Sequence, residues 1–393
     1  MLALSAAALP FVLGQDLVDD FFHGAHDDSF SNVFTEASST ATEWLAYADA
    51  EAQGLTGPIA IATNFELAEG IDVNQTCSTV GQTIPLAGYD EDAAGLYVCQ
   101  EEDIVTDEKL SLVRQYIADM VDFTEGVVSV PKLWSSNDIT LQEDDQGNPY
   151  PAGMTRPMLE QVRTTTYSGA TDVVVVVSMR PHSAGPSSGI ESYSSCLVRN
   201  QFRRCVVANI NFCPAAIITE PASHETEAVA ARGFAVSLHE MLHILNAVKP
   251  YGKFFINDDG SQPLDSDVCS QVDGVRMITT PSVLAIAQEQ FSCASLEGVA
   301  VEDSRHGLGI HWEAELAGPE IMSVGDWTGE TYMSDLTCAF LQDTGYYGCD
   351  FDNIGSLVDG TALEVALTEN FFNYDHWNEL IESFDDPFLS AEV

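Results

Sequence analysis

The run Leu238-His239-Glu240-Met241-Leu242-His243 sets two imidazoles four residues apart inside an apolar segment that also holds Phe234, Val236 and Leu245. Four residues is about one helical turn, so both rings project from one face and can reach a single ion. Neutral imidazole suits zinc, whose catalytic sites keep three protein ligands and one open position. Glu240 is rotated off the ligand axis, where it can take a proton from a metal-activated water instead of binding the metal. Three polar groups on an amphipathic helix can also simply face solvent. The flanking residues here are apolar, however, and burying a His-Glu-His cluster without a partner is costly. The stretch therefore predicts a helix with His239 and His243 as metal ligands and Glu240 as general base.

Upstream of this helix the pattern changes period. Asp172 to Ser178 contains five consecutive valines, the signature of a strand buried on both faces. The runs Pro58–Thr63, Val127–Pro131 and Val206–Phe212 read as further strands. Between the first two of these, Thr106 can cap a helix in which Leu110, Val113, Ile117 and Val121 recur at helical spacing. A helical run from about Glu225 to Asn246 carries the His-Glu pair. Residues 135–170 and 181–195 are rich in turn-forming and polar types and read as surface excursions. Asn257-Asp258-Asp259-Gly260, between Pro250 and Pro263, breaks the pattern after the strongest motif and marks a subdomain boundary. No internal repeat is visible.

The chain has 393 residues and 45% hydrophobic content, enough for real cores. Its 61 acidic side chains face 14 basic ones, a formal charge of -47. Such a field repels phosphate backbones and anionic lipid, which excludes nucleic acid and membrane surfaces as expected partners. Nine cysteines without a Cys-x-x-Cys pair point to disulfides in an oxidising compartment; eight can pair and one is left over. Residues 1–14 read as a signal peptide without the usual basic flank, and Asn74-Gln75-Thr76 is a glycosylation sequon, so a secreted location is expected. No other apolar stretch reaches the ~18 residues of a membrane span. No calcium loop of the EF-hand type is present.

A series of motifs in one order extends the reading. Cys99 to Ile104 is followed by Thr106 and Lys109; Arg180-Pro181 and Gly185 follow the valine run. Asn209 to Phe212 with Pro214 precedes the segment Gly233 to His243. Downstream come Gln290-Phe291 with Cys293, Leu296-Glu297-Gly298, Glu302-Asp303, His311-Trp312-Glu313, Glu320-Ile321-Met322, Met333-Ser334 and Leu341 to Tyr347. From about residue 55 to 350 this resembles the leishmanolysin family of metzincin proteases.

That resemblance implies an α+β fold: a catalytic domain with a twisted mixed sheet and active-site helix, then a smaller, loop-rich and helical subdomain carrying the third ligand and the Met-turn. It implies residues 15–50 as a pro-segment-like extension, 51–250 as the catalytic subdomain, 251–350 as the central subdomain and 351–393 as a tail shorter than the family's. Of two candidate third ligands, His306 and His311, the family pattern His-Trp-Glu selects His311. Met322 is implied as the Met-turn residue, and Asn209, Ile210, Asn211 and Phe212 as a sheet edge for an extended substrate. The implied activity is zinc-dependent endopeptidase hydrolysis of protein and peptide substrates, with one zinc per chain. The alternative is an inactive binding or cell-adhesion protein on the same fold. Two departures stand out. Asn246 occupies the helix exit where the pattern has Gly, and Asn is the best substitute there. The segment around His23 and His26 lacks the cysteine expected to block the metal. His182, His224 and His376 read as solvent-facing or satisfied.

Overall fold

The computed structural model describes residues 45–70, 73, 76–85, 96–132, 171–182, 191–199, 202–219, 226–272, 275–302, 309–317, 319–323, 331–352 and 354. The chain opens with α1 (Tyr47–Ala52), β1 (Thr56–Pro58), β2 (Ile61–Asn64) and the hairpin β3 (Thr83–Pro85) and β4 (Leu96–Val98). It continues with α2 (Asp107–Val127), β5 (Val128–Pro131), β6 (Val173–Ser178), β7 (Ser192–Arg199), β8 (Cys205–Phe212) and α3 (Thr226–Ile244). The second half contains α4 (Asp265–Val268), β9 (Cys269–Val272), β10 (Val275–Ile278), α5 (Pro281–Gln290), β11 (Val299–Ala300), α6 (Ala314–Ala317), α7 (Asp335–Asp343) and β12 (Gly348–Cys349). The class is α+β.

The sheet that positions the site runs β2-β6-β8-β7, parallel over its first three strands and antiparallel at β7. The valine run forms β6 at its centre, buried at all six positions. One expected strand, Pro58–Thr63, is instead two. β1 joins a separate sheet with β5 and β12, while β2 joins β6. The switch falls where the Ala60 N–H leaves the ladder for the buried Asp172 carboxylate at 2.9 Å. Asp172 also takes the Lys132 ammonium at 2.8 Å and the Arg204 guanidinium at 3.1 Å, so a charged post stands between the two sheets.

Helix α2 starts where predicted, with the Thr106 side chain accepting from the Lys109 N–H. It packs against α3 at a close crossing: a Cβ on Gly233 would lie 2.3 Å from Tyr116 Cζ, so the ring fits only over a glycine. Phe123 and Phe234 meet edge to face at 5.9 Å beside it. This contact and the β8 side of the sheet fix α3 in a core that also takes in Met322, Trp312 and Phe340.

The nine cysteines form three disulfides, Cys77–Cys99, Cys196–Cys205 and Cys338–Cys349, while Cys213, Cys269 and Cys293 are free thiols. The sequence allowed a fourth pair, and the structure does not make it. No described helix is long and apolar enough to cross a membrane. Residues 1–14, Asn74 and Gln75 of the sequon, the 135–170 excursion, the residues beyond 354 and His23, His26, His224, His306 and His376 lie outside the described residues.

Candidate metal centre

Helix α3 is apolar on the flank that meets the core, where Leu238, Met241, Leu242 and Leu245 are at most 1% exposed. His239 and His243 lie one turn apart on the adjoining face, as their spacing requires. The chain then crosses 68 positions before His311 reaches the same place. One ligand nitrogen from each of the three rings lies within 4.8 Å of the others, and each residue is at most 9% exposed.

Hydrogen bonds set the tautomers. His239 Nδ1 lies 2.6 Å from the Ile321 carbonyl oxygen, which can only accept, so Nδ1 carries the proton and Nε2 keeps its lone pair. His311 Nδ1 makes the same commitment to Glu302 Oε1 at 2.6 Å. His243 Nε2 stands 2.9 Å from His311 Nε2. Two nitrogens at that distance share a proton or a cation, and the third lone pair, from His239, favours the cation. The spacing is slightly inside the roughly 3.3 Å kept by two nitrogens about 2.0–2.1 Å from a tetrahedral zinc ion. Three converging imidazole nitrogens are a zinc-type donor set, and the residues fit the metal. Burial, then the neighbouring His311, push the His239 imidazole down to about 3, which keeps it in its ligating form.

A family model described as leishmanolysin matches residues 5–385. The chain belongs to the leishmanolysin family of peptidases. It is 29% identical over 300 residues to a leishmanolysin homolog of Crithidia fasciculata, covering 74% of this chain and 40% of that one. A leishmanolysin of Leishmania chagasi is 26% identical over 306 residues, covering 75% and 44%. A leishmanolysin-like peptidase of Drosophila melanogaster is 28% identical over 206 residues, covering 44% and 30%. The chain thus spans less than half the length of these leishmanolysin relatives.

Glu240 lies beside the imidazoles, 6% exposed. Burial raises its carboxyl above the usual range, and the Ser192 hydroxyl, donating to Oε1 at 2.6 Å, pulls the other way. Ser194 donates to the Glu240 backbone oxygen at 3.0 Å. Both serines lie on β7, two residues apart and hence on one face of the strand. Sequence reading missed them, because it placed 181–195 in a polar excursion; the Ser192/Ser194 alternation is the signal that could have revealed the strand.

The expected substrate edge at Asn209, Ile210, Asn211 and Phe212 is corrected by the sheet order. These residues lie in β8, which pairs with β6 on one side and β7 on the other, so their backbone groups are already in use. Their amide side chains tie β8 to its neighbour: Asn209 Nδ2 donates to the Val176 carbonyl at 2.8 Å, and Asn211 Nδ2 to the Arg180 carbonyl at 3.0 Å. Of the two edge strands of this sheet, β2 and β7, β7 lies next to the active-site helix and pairs with β8 alone among the described residues. His182, read as solvent-facing or satisfied, is 8% exposed and meets the Tyr193 ring edge to face at 6.3 Å.

Asn246 stands in the left-handed region at φ 68°, the conformation expected at the helix exit. Ala247 N–H donates to the Leu242 carbonyl at 2.9 Å and Asn246 N–H to that of His243 at 3.0 Å, the paired bonds of a Schellman motif. Arg199 Nη2 donates to Asn246 Oδ1 at 3.3 Å, linking the far end of β7 to this exit. Two residues on, Val248 is also left-handed at φ 55°, a strained state for a β-branched side chain, held by complete burial. Met322 is fully buried, and its carbonyl accepts from the Trp312 N–H at 2.9 Å, one residue beyond His311.

Proposed function

We propose that this chain is a zinc-dependent endopeptidase with a metzincin-type site, in which His239, His243 and His311 hold one zinc ion and Glu240 is the general base. The convergence of three buried imidazoles on one point, with Glu240 on the same helix, carries this reading. When bound, zinc supplies Lewis-acid polarisation of a carbonyl and acidifies water. Glu240 accepts the proton lost by the attacking water and returns it to the departing amine. Ser192 holds the carboxylate in the rotamer that serves both steps. The open side of β7 supports backbone pairing with an extended peptide, a mode indifferent to side-chain sequence. Met322 is the Met-turn residue in this reading, and residues 251–350 form the central subdomain that delivers His311. Three disulfides and the acidic surface favour an oxidising compartment outside the cytoplasm and protein or peptide substrates.

The test combines metal analysis with casein or gelatin cleavage, with and without a chelator. One zinc per chain, chelator-sensitive cleavage, and loss of cleavage in Glu240→Ala with zinc retained are expected. Stoichiometric zinc without cleavage in the wild type would instead identify a binding or adhesion protein, and absence of zinc would end the metal reading.

A further inference from the structure

Glu320 is a fully buried carboxylate with no basic partner among the described residues. Four donors surround it. Its Oε2 accepts from the Met322 N–H, while Oε1 accepts from the Ser334 N–H at 3.1 Å, the Ser334 hydroxyl at 3.0 Å and the Thr337 hydroxyl at 2.5 Å. The directions are unambiguous. Ser334 Oγ already accepts from the Thr337 N–H as the N-cap of α7, so its own proton is free for Glu320. Thr337 Oγ1 accepts from Trp312 Nε1 at 2.9 Å, so it too has its proton left to give. Desolvation drives the Glu320 carboxyl up to about 7, against the pull of these donors.

Two of these bonds, those of Met322 and Thr337, lead to a ligand. The Met322 N–H fixes the turn whose Ile321 carbonyl orients His239 through Nδ1. Thr337 passes the hold to the Trp312 ring, and the Trp312 backbone adjoins His311. One carboxylate thus connects two imidazoles that come from separate elements, one on α3 and one just before α6, without touching either.

We propose that Glu320 is a positioning residue of the metal centre, acting through Ile321 on His239 and through Thr337 and Trp312 on His311. This rests on the zinc reading above. A glutamine cannot fully replace it: one oxygen becomes an NH2 group facing a donor, either the Met322 N–H or the cluster at Oε1.

The experiment uses the full chain as wild type, Glu320→Gln, Thr337→Val and Ile84→Ala. Ile84 is buried in a separate small cluster under the Cys77–Cys99 disulfide, so its variant loses stability away from the site. Zinc affinity is measured by competition with a chromophoric chelator well below the unfolding midpoint, and the cobalt-substituted forms are compared by visible absorption. Glu320→Gln and Thr337→Val are expected to bind zinc roughly 10–100-fold more weakly, with shifted cobalt bands, as typical for loss of a partner that orients a ligand. Ile84→Ala is expected to keep wild-type affinity and bands. Should both site variants match Ile84→Ala, with lower stability but unchanged affinity and spectrum, Glu320 is structural only and the inference falls. Should Glu320→Gln fail to fold, Thr337→Val decides alone. A wild type that takes up no zinc overturns the metal reading itself, a result distinct from either.

Discussion

His311 donates through Nδ1 to Glu302 Oε1 at 2.6 Å, with both side chains at most 10% exposed. A carboxylate in that position fixes the ring's tautomer and orientation. Glu302→Ala is expected to weaken zinc binding about 10–100-fold, and Glu302→Gln less, because the amide oxygen still accepts. Chelator competition on the purified variants checks this, and equal affinities in both would show that His311 is oriented by its backbone alone.

Ser192 restrains the base instead of a ligand. Ser192→Ala is expected to lower kcat for peptide hydrolysis by about tenfold, a loss of roughly 1.4 kcal/mol of transition-state stabilisation. Zinc content should stay at the wild-type level. Steady-state kinetics beside metal analysis distinguishes this outcome from a loss of metal.

At Asn246 the backbone, not the side chain, dominates the expectation. Asn246→Ala places a Cβ-bearing residue without local hydrogen-bonding help at φ 68°, which costs about 1–2 kcal/mol, and it also removes the acceptor for Arg199. Asn246→Gly keeps the backbone free and loses only the Arg199 bond, so it should be the milder change. Urea unfolding of the three proteins gives the ranking, and a more stable Ala variant would contradict it.

Burial lowers the His182 imidazole to about 4 in the folded chain. The unfolded chain, with its histidine near 6.5, binds more protons between about pH 4 and 6.5. Stability from this residue is therefore complete above about pH 6.5 and is lost as the pH falls towards 4. His182→Gln should flatten the fall in unfolding midpoint across that window. An unchanged slope would mean that His182 keeps its solution behaviour despite its burial.

Much of this architecture could be read before folding because single residues dictated it. Five valines admit only a doubly buried strand, the Thr106 hydroxyl marks a helix start, and the spacing of His239 and His243 puts two rings on one helical face. The position of β7 was hidden because Ser192, Ser194 and Ser195 give a polar run whose burial depends on a helix more than forty residues away. The two-way pairing of β8 was hidden for the same reason: a strand's place in a sheet is set by its partners. The disulfide Cys196–Cys205 spans a turn that is evident only once β7 and β8 are adjacent. Glu320 stands in a motif visible in the sequence, but its role was hidden, since its four donors come from three separate positions, Met322, Ser334 and Thr337.

Strand β5 holds β1 on one side and β12 on the other, so residues 56–58 and 348–349 flank the same three-stranded ribbon. Topologically the described chain is a closed loop fastened near both of its ends. A protease nick in the exposed turn at Asn257–Ser261 would leave two polypeptides clasped by that ribbon and by the core. They should run as two bands on a denaturing gel yet elute as one body from a sizing column. A protein built this way tolerates being cut in the middle far better than being trimmed past residue 348.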